Sequence, residues 1–98
     1  MAVTQFNSTL VDLSDNTTLV SDFDSIVYSV HVTTVTSAQA LPIHNGSAAG
    51  DNLITLAASS AVGTLLEFGE GVRFPDGIFV DPDDAATGVV TISWKPNR

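Results

Sequence analysis

Short runs of β-branched and aromatic residues, each ended by turn residues, restrict this chain to a fold built from strands. The pattern is clearest over residues 67–95, which read EFGEGVRFPDGIFVDPDDAATGVVTISWK. Pro75-Asp76-Gly77 predicts a tight turn, because Pro presets φ, Asp bonds to its own backbone and Gly tolerates a positive φ. Residues 89–95 are mostly β-branched or aromatic, which favours a closing strand.

The longest alternating run is SIVYSVHVTTV, residues 25–35. Because successive side chains of a strand point to opposite faces, this run predicts one apolar face and one mixed face. The predicted apolar face carries Ile26, Tyr28, Val30 and Val32. The predicted mixed face carries Val27, Ser29, His31 and Thr33. We interpret His31 as an ordinary half-exposed side chain of a strand.

Seven to nine strands of this kind, separated by Gly, Pro, Asn and Asp, are typical of a sandwich of two antiparallel sheets. We expect an all-β fold of the jelly-roll or Greek-key type without substantial helix, and a barrel as second choice. Residues 25–98 are expected to form the sandwich, and residues 1–24 an N-terminal extended arm or edge strands. Pro42 predicts an edge strand, since Pro has no amide hydrogen for a ladder. Trp94 and Phe79 are expected to anchor the core.

The chain has 98 residues and no cysteine, so neither a disulfide nor a thiolate zinc site can support the fold. A domain of this size usually needs such support, because the gain from burial and the cost of ordering the chain nearly cancel. We therefore expect oligomerisation, or docking on a larger partner, to supply the missing burial.

The net charge is −8, and only Arg73, Lys95 and Arg98 are basic. Binding to phosphates needs a cluster of Lys and Arg, so this balance argues against nucleic acid and against an anionic membrane surface as partners. Residues 1–10 lack the basic start and the apolar centre of a cleaved leader. We therefore expect synthesis in a host cytoplasm without export.

No motif predicts catalysis. Serines and two histidines are present, but no GxSxG sequence singles out a nucleophile. The pairs Asp22/Asp24 and Glu67/Glu70 are explained as carboxylates of solvated turns. We expect no enzyme, no catalytic residue and no cofactor.

A cluster of carboxylates at Asp81, Asp83 and Asp84 offers the hard oxygen ligands that Ca²⁺ prefers. The spacing of an EF-hand is absent, however, and Pro82 restricts the loop. We favour an acidic turn that ends a strand, so no metal ligand is predicted, and calcium binding by this loop stays open.

Four segments carry a resemblance: SIVYSVHVTTV, HNGSAAGDNLITLA, FGEGVRFPDGIFVDP and GVVTISWK. Together they resemble a type of small β-sandwich protein of tailed bacteriophages, over about residues 26–95, although residues 64–71 depart from its spacing. The resemblance implies a virion structural protein of the capsid decoration, or cement, type. Such proteins sit on the outer capsid surface and clamp neighbouring major capsid subunits, commonly as homotrimers. The implied partners are the major capsid protein and further copies of this chain.

Such a role would consist of binding alone. We expect residues 2–13 to form a contact arm that meets a neighbour by strand addition, which supplies main-chain hydrogen bonds and apolar pockets. The mixed face of residues 25–35 is a second expected contact, because Val27 and Val35 have no obvious cover there. The expected interface residues are Val3, Phe6, Leu10, Val11, Val27 and Val35.

The alternative is a glycan-binding or adhesin-like jelly-roll module of a phage tail or fibre. Exposed aromatic rings and Asp or Asn side chains would hold the sugar. The candidate residues are Tyr28, Trp94, Asp51 and Asn52.

Overall fold

A computed structural model of the chain describes residues 7–15, 18–36, 39–83 and 85–97. These residues form eight β-strands and one short 3₁₀ turn, Leu13–Asp15. The strands are β1 Asn7–Asp12, β2 Thr18–Ser21, β3 Ser25–Thr34, β4 Leu41–Asn45, β5 Asn52–Leu56, β6 Leu65–Phe74, β7 Ile78–Val80 and β8 Val89–Pro96. The predicted all-β sandwich is confirmed. No helix of the described residues is long and apolar enough to cross a membrane.

The strands form two four-stranded antiparallel sheets. Sheet A has the order β1-β8-β3-β6, and sheet B has the order β2-β7-β4-β5. The pairs β1–β8, β2–β7, β3–β6 and β4–β5 correspond to one long hairpin, bent at the β4–β5 turn and rolled into two layers. This connectivity is that of a jelly roll. Of the described part of residues 1–24, β1 and β2 are edge strands of the two sheets.

The core lies between the sheets and is almost entirely aliphatic. Its fully buried side chains include Val11, Val27, Val30, Val32, Leu41, Ile43, Leu56, Phe74, Ile78, Val80, Val90 and Ile92. The prediction for the aromatic residues is half right. Trp94 is buried, but Phe79 is only half-buried on the outer side of sheet B, and Phe74 is the aromatic side chain at the centre.

The predicted faces of β3 are right for residues 29–32 but wrong for Ile26 and Val27, because β3 contains a β-bulge at Tyr28. Val27 lies opposite Trp94 of β8, whereas Ser29 lies opposite Ser93, so Tyr28 is an extra residue. An extra residue shifts the alternation by one position. Val27 therefore faces the core together with Val30 and Val32, while Ile26 faces outward.

The prediction of an edge strand at Pro42 is also wrong, since β4 lies between β7 and β5. The Pro42 carbonyl accepts the Asp81 N–H at 3.1 Å. Because the N–H and C=O of one strand residue point to the same side, the missing N–H also points to Asp81, just beyond the end of β7. An inner strand tolerates Pro at this point because only the last bond of the ladder is lost.

The predicted turn at Pro75-Asp76-Gly77 is confirmed, and it docks on the β4–β5 turn. The Asn45 side chain accepts the Asp76 N–H at 2.8 Å and donates to the Asp76 carboxylate at 3.1 Å. Gly46 has φ of 77°, and a Cβ there would lie 2.8 Å from the Cβ of Asp76. Glycine is therefore required where the two turns meet.

Candidate functional site

The four edge strands of the sandwich differ in regularity. In β2 the register shifts at Val20, in β5 it shifts at Leu53, and in β6 residues 68–71 all lie opposite the single residue Tyr28. β1 instead pairs with β8 over six consecutive residues without any shift. Bulges protect an edge from further strand pairing, so β1 is the unprotected edge among the described strands.

The open side of β1 is defined by its hydrogen bonds. The Leu13 N–H, directly after β1, donates to the Gly88 carbonyl at 2.9 Å on the β8 side. Because N–H and C=O groups alternate in direction along a strand, Asn7, Thr9 and Val11 also point to β8. The groups of Ser8, Leu10 and Asp12 point the other way. No strand of the described residues pairs with them.

β1 is firmly attached to the sandwich. Val11 and Leu13 are buried in the core. The Trp94 indole Nε1–H donates to the Thr9 hydroxyl at 3.0 Å, which ties a side chain of β1 to β8. The ring of Phe23 lies against Trp94 with centroids 6.0 Å apart. The core and this hydrogen bond therefore hold the open edge of β1 in position for pairing with a further strand.

The outer face of sheet A carries half-buried side chains at its centre. Register places its outward side chains in two rows across all four strands. The first row contains Leu10, Thr91, His31 and Leu65. The second row contains Ser8, Ser93, Ser29 and Glu67. The first row ends in an exposed leucine at each side, Leu10 on β1 (67% exposed) and Leu65 on β6 (48% exposed). The second row ends in Ser8 on β1 and Glu67 on β6.

Ionised groups lie at the margin of this face. The Asp24 carboxylate accepts from Arg73 Nε at 3.1 Å and Nη2 at 2.8 Å, and from Asn97 Nδ2 at 3.2 Å. The hydrogen bonds from Arg73 lower the pKa of Asp24, and the same carboxylate raises the pKa of Arg73. Lys95 Nζ lies 5.8 Å from the Tyr28 ring centroid, a weak cation–π contact.

At the end of β1, the Asp12 carboxylate accepts the Ser14 N–H at 3.0 Å and the Ser14 hydroxyl at 2.6 Å. The bond from the hydroxyl, followed by that from the amide, lowers the pKa of Asp12. This carboxylate is therefore held against the turn that ends β1.

The expected interface residues separate into three groups. Leu10 and Val35 are exposed, with Val35 53% exposed at the end of β3. Val11 and Val27 are buried in the core, so the expectation that Val27 lacks cover is wrong. Val3 and Phe6 lie outside the described residues. Of the four that the structure describes, Leu10 alone lies on the open strand with an exposed side chain.

The outer face of sheet B has a different composition. Its middle row contains Leu19, Phe79, His44 and Asn52. The His44 ring holds Nδ1 at 2.8 Å from the Gly50 carbonyl and Nε2 at 3.7 Å from the Asp81 carboxylate. The histidine ties the β4–β5 loop to the end of β7. This arrangement is structural, since both ring nitrogens are directed at groups of the fold.

The remaining candidates do not form one site. The Asp83 carboxylate accepts the Ala85 N–H at 2.9 Å, as in a turn that ends a strand, and Asp84 lies outside the described residues. Within the described ranges, no three His, Asp or Glu side chains are grouped as metal ligands, and no pocket is formed. Of the glycan candidates, Tyr28 lies on sheet A and Asn52 on sheet B.

Sequence reasoning missed the outward row and the open edge. Leu65 and Thr91 are far apart in sequence, and only the pairing of β6, β3 and β8 brings them onto one row. The one available signal was the uncharged stretch Asn7–Val11, which lacks the Lys or Pro that often guards an edge. Comparison of the chain with family models, with curated proteins and with solved structures gives no match, so the functional argument depends on this geometry.

Proposed function

We propose that this chain is a non-enzymatic structural protein of a phage virion, which lies on the outer capsid surface and clamps neighbouring major capsid subunits. The observation that carries the proposal is the outer face of sheet A. Its central side chains, Thr91, Ser93, Ser29 and His31, are half-buried and contain no carboxylate, Lys or Arg. The centre of this face can approach another protein closely without burying an ionised group, which would be costly, because the one carboxylate of the two rows, Glu67, lies at the β6 edge.

The shape of the face suits a broad, shallow contact. Four strands spaced by about 4.8 Å give a sheet roughly 15 Å across from β1 to β6. Leu10 and Leu65 lie at opposite edges of this width and are the apolar anchors. Two separated anchors fit a role in which one copy spans two neighbouring subunits.

The fold agrees with this role but does not decide it. Jelly rolls occur both in viral structural proteins and in carbohydrate-binding proteins, so the site must carry the argument. The glycan alternative would require Tyr28 to meet Asp51 and Asn52, which belong to the other sheet or its loop. No observation favours that alternative.

Electron microscopy of phage heads, with and without added protein, tests the proposal. We expect ordered density on the capsid surface, and greater resistance of decorated heads to heat. Heads that remain unaltered at saturating protein would refute the proposal.

A matched pair of variants tests the proposed face. Thr91→Arg places a charge at the centre of the outer face of sheet A, and an unpaired charge buried at a contact weakens binding about a hundredfold or more. Thr55→Arg places the same side chain outward on β5 of sheet B and should leave binding to heads unchanged. Loss of binding in Thr55→Arg alone would assign the contact to the opposite sheet.

A further inference from the structure

The open edge of β1 accepts a further strand, and we propose that this strand is the β1 of a second copy of the chain. Two copies would pair antiparallel about a twofold axis, and the two A sheets would join into one continuous sheet of eight strands. This inference goes beyond the proposed function and does not depend on it, because it concerns the purified protein alone.

The backbone of β1 is self-complementary. Among the described residues of β1, three direct N–H and C=O groups outward, Ser8, Leu10 and Asp12, and Leu10 lies at their centre. An antiparallel pair with Leu10 opposite its own copy brings Ser8 opposite Asp12 of the other strand. In this register all three residues are used on both strands, which gives six main-chain hydrogen bonds. Within Asn7–Asp12, a register shifted by two residues in either direction pairs only two of these three residues.

The side chains agree with the same register. Leu10 has the highest exposed fraction, 67%, of the large hydrophobic side chains described. On the twofold axis it would pack against its own copy on the outer face of the joined sheet. Cross-strand apolar pairs of this kind stabilise antiparallel sheets.

Charge does not oppose this contact locally, although each copy carries −8. Asp12 is the only ionised side chain of β1, and the register places it opposite Ser8 and not opposite another carboxylate. The two Asp12 residues would be four residues apart along the strands, or about 14 Å. This separation exceeds the screening length of about 8 Å at physiological salt. Dimerisation should therefore strengthen as salt is raised from low concentration.

A second copy explains the open edge better than a strand of another protein. A strand of another protein would also satisfy the main-chain groups. It would not, however, depend on outward N–H and C=O groups that are arranged symmetrically about the most exposed leucine. An isologous pair needs this symmetry and closes at two copies. The other three edges carry bulges, so they offer no equivalent template.

Sedimentation of the purified protein over a range of concentrations tests the proposal. We expect a monomer–dimer equilibrium for the natural chain and at least a tenfold weaker dimer for Leu10→Lys, which places two ammonium groups against each other on the axis. Leu65→Lys is the matched control on the bulged edge of the same sheet and should dimerise normally. A trimer, or equal dimerisation of Leu10→Lys and the natural chain, would overturn the proposal.

A second pair of variants tests the main chain itself. Ser8→Pro removes an N–H that the monomer does not use, and Pro is tolerated on an edge strand. We expect Ser8→Pro to dissociate the dimer while its thermal unfolding at high dilution stays close to that of Ser8→Ala. A dimer retained in Ser8→Pro would show that β1 edges do not pair.

Amide hydrogen exchange gives a residue-level readout. In the dimer, the amides of Ser8, Leu10 and Asp12 should exchange slowly, and they should exchange fast in Leu10→Lys. Those of Thr9 and Val11, which point to β8, should stay slow in both. Purified protein that remains monomeric, with these edge amides protected only on phage heads, would assign the edge to a capsid strand and overturn the proposed dimer. Failure to bind heads leaves all of these measurements intact and bears only on the proposed function.

Discussion

β1 and β6 are the two edges of one sheet, yet they are built in opposite ways. β6 has ten residues, carries Glu67, Glu70 and Arg73, and is broken by the bulge at residues 68–71. β1 has six residues, is uncharged until Asp12, and is regular throughout. Bulges and charges are the means by which a solvent-exposed edge avoids pairing. β6 therefore carries both features that oppose pairing, whereas β1 carries neither before Asp12, as the proposed pairing of two β1 strands requires.

The two edges also differ in how the core holds them. β6 ends in Phe74, a fully buried ring, whereas β1 is held by Val11, a smaller buried side chain. The bulged strand therefore carries more of the core than the regular one. Stability measurements on the isolated protein can test this division directly.

The largest expected effect is that of Phe74→Ala. Loss of a fully buried ring and the cavity that remains should lower the free energy of unfolding by about 3–5 kcal/mol. Val11→Ala removes two methyl groups and should cost about 2 kcal/mol. Denaturant unfolding at high dilution measures both. An equal cost for the two variants would contradict the view that β6 is the more strongly anchored edge.

The bulge of β6 gives the next effect. Gly71 has φ of 98°, and a Cβ there would lie 2.3 Å from Ile26 Cγ2, so Gly71→Ala should cost about 2–3 kcal/mol. Gly69 has φ of 60° and open space around its Cα, so Gly69→Ala should cost only about 1 kcal/mol. Thermal unfolding of the pair tests whether the bulge is a required feature. If Gly71→Ala were neutral, the bulge would be replaceable by a regular edge.

Much of the fold follows from local chemistry in the sequence. The turn at Pro75-Asp76-Gly77 lies where it was predicted, and the closing strand predicted over residues 89–95 is β8, Val89–Pro96, because turn residues act within a few positions. The absence of cysteine and the small size predicted dependence on a partner, which remains a prediction. These inferences need no knowledge of which strands are neighbours.

The rest depends on long-range pairing. The bulge at Tyr28 could not be predicted because Val27 and Val30 suit either face, and only the register against β8 decides between them. Pro42 lies in an inner strand because β7 happens to end beside it. The open edge of β1 likewise follows from the strand order. The sequence alone therefore predicted Leu10 as a contact residue, but it did not show which side of β1 lacks a neighbouring strand.

The next smaller effect is the loss of stability when the side-chain hydrogen bond between β1 and β8 is removed. Thr9→Val keeps the shape of the side chain but removes the acceptor for the Trp94 indole N–H, which should cost about 1 kcal/mol. Thr91→Val, outward on β8, is the control and should change stability by less than about 0.5 kcal/mol. Exchange of the β1 amides that point to β8 should rise in Thr9→Val alone. An unchanged exchange rate would show that core packing through Val11 holds β1 without this bond.

The smallest effect on stability is expected from the ion pair between Arg73 of β6 and Asp24. The hydrogen bonds from Arg73 lower the pKa of Asp24 in the folded chain below its unfolded value of about 3.9. The contribution of Asp24 to stability is therefore fully present above about pH 4 and is lost as the pH falls through the folded pKa. Asp24→Asn should flatten this acid loss slightly, because the Arg73 side chain is largely exposed and its pairing is screened by water. Unfolding midpoints measured between pH 7 and pH 3 would show it, and Arg73→Gln should flatten the loss to the same extent. An unchanged acid loss in Asp24→Asn would mean that the ion pair does not govern the acid response of sheet A, and would leave Asp12, whose pKa is lowered by its hydrogen bonds from Ser14, as the carboxylate to test next.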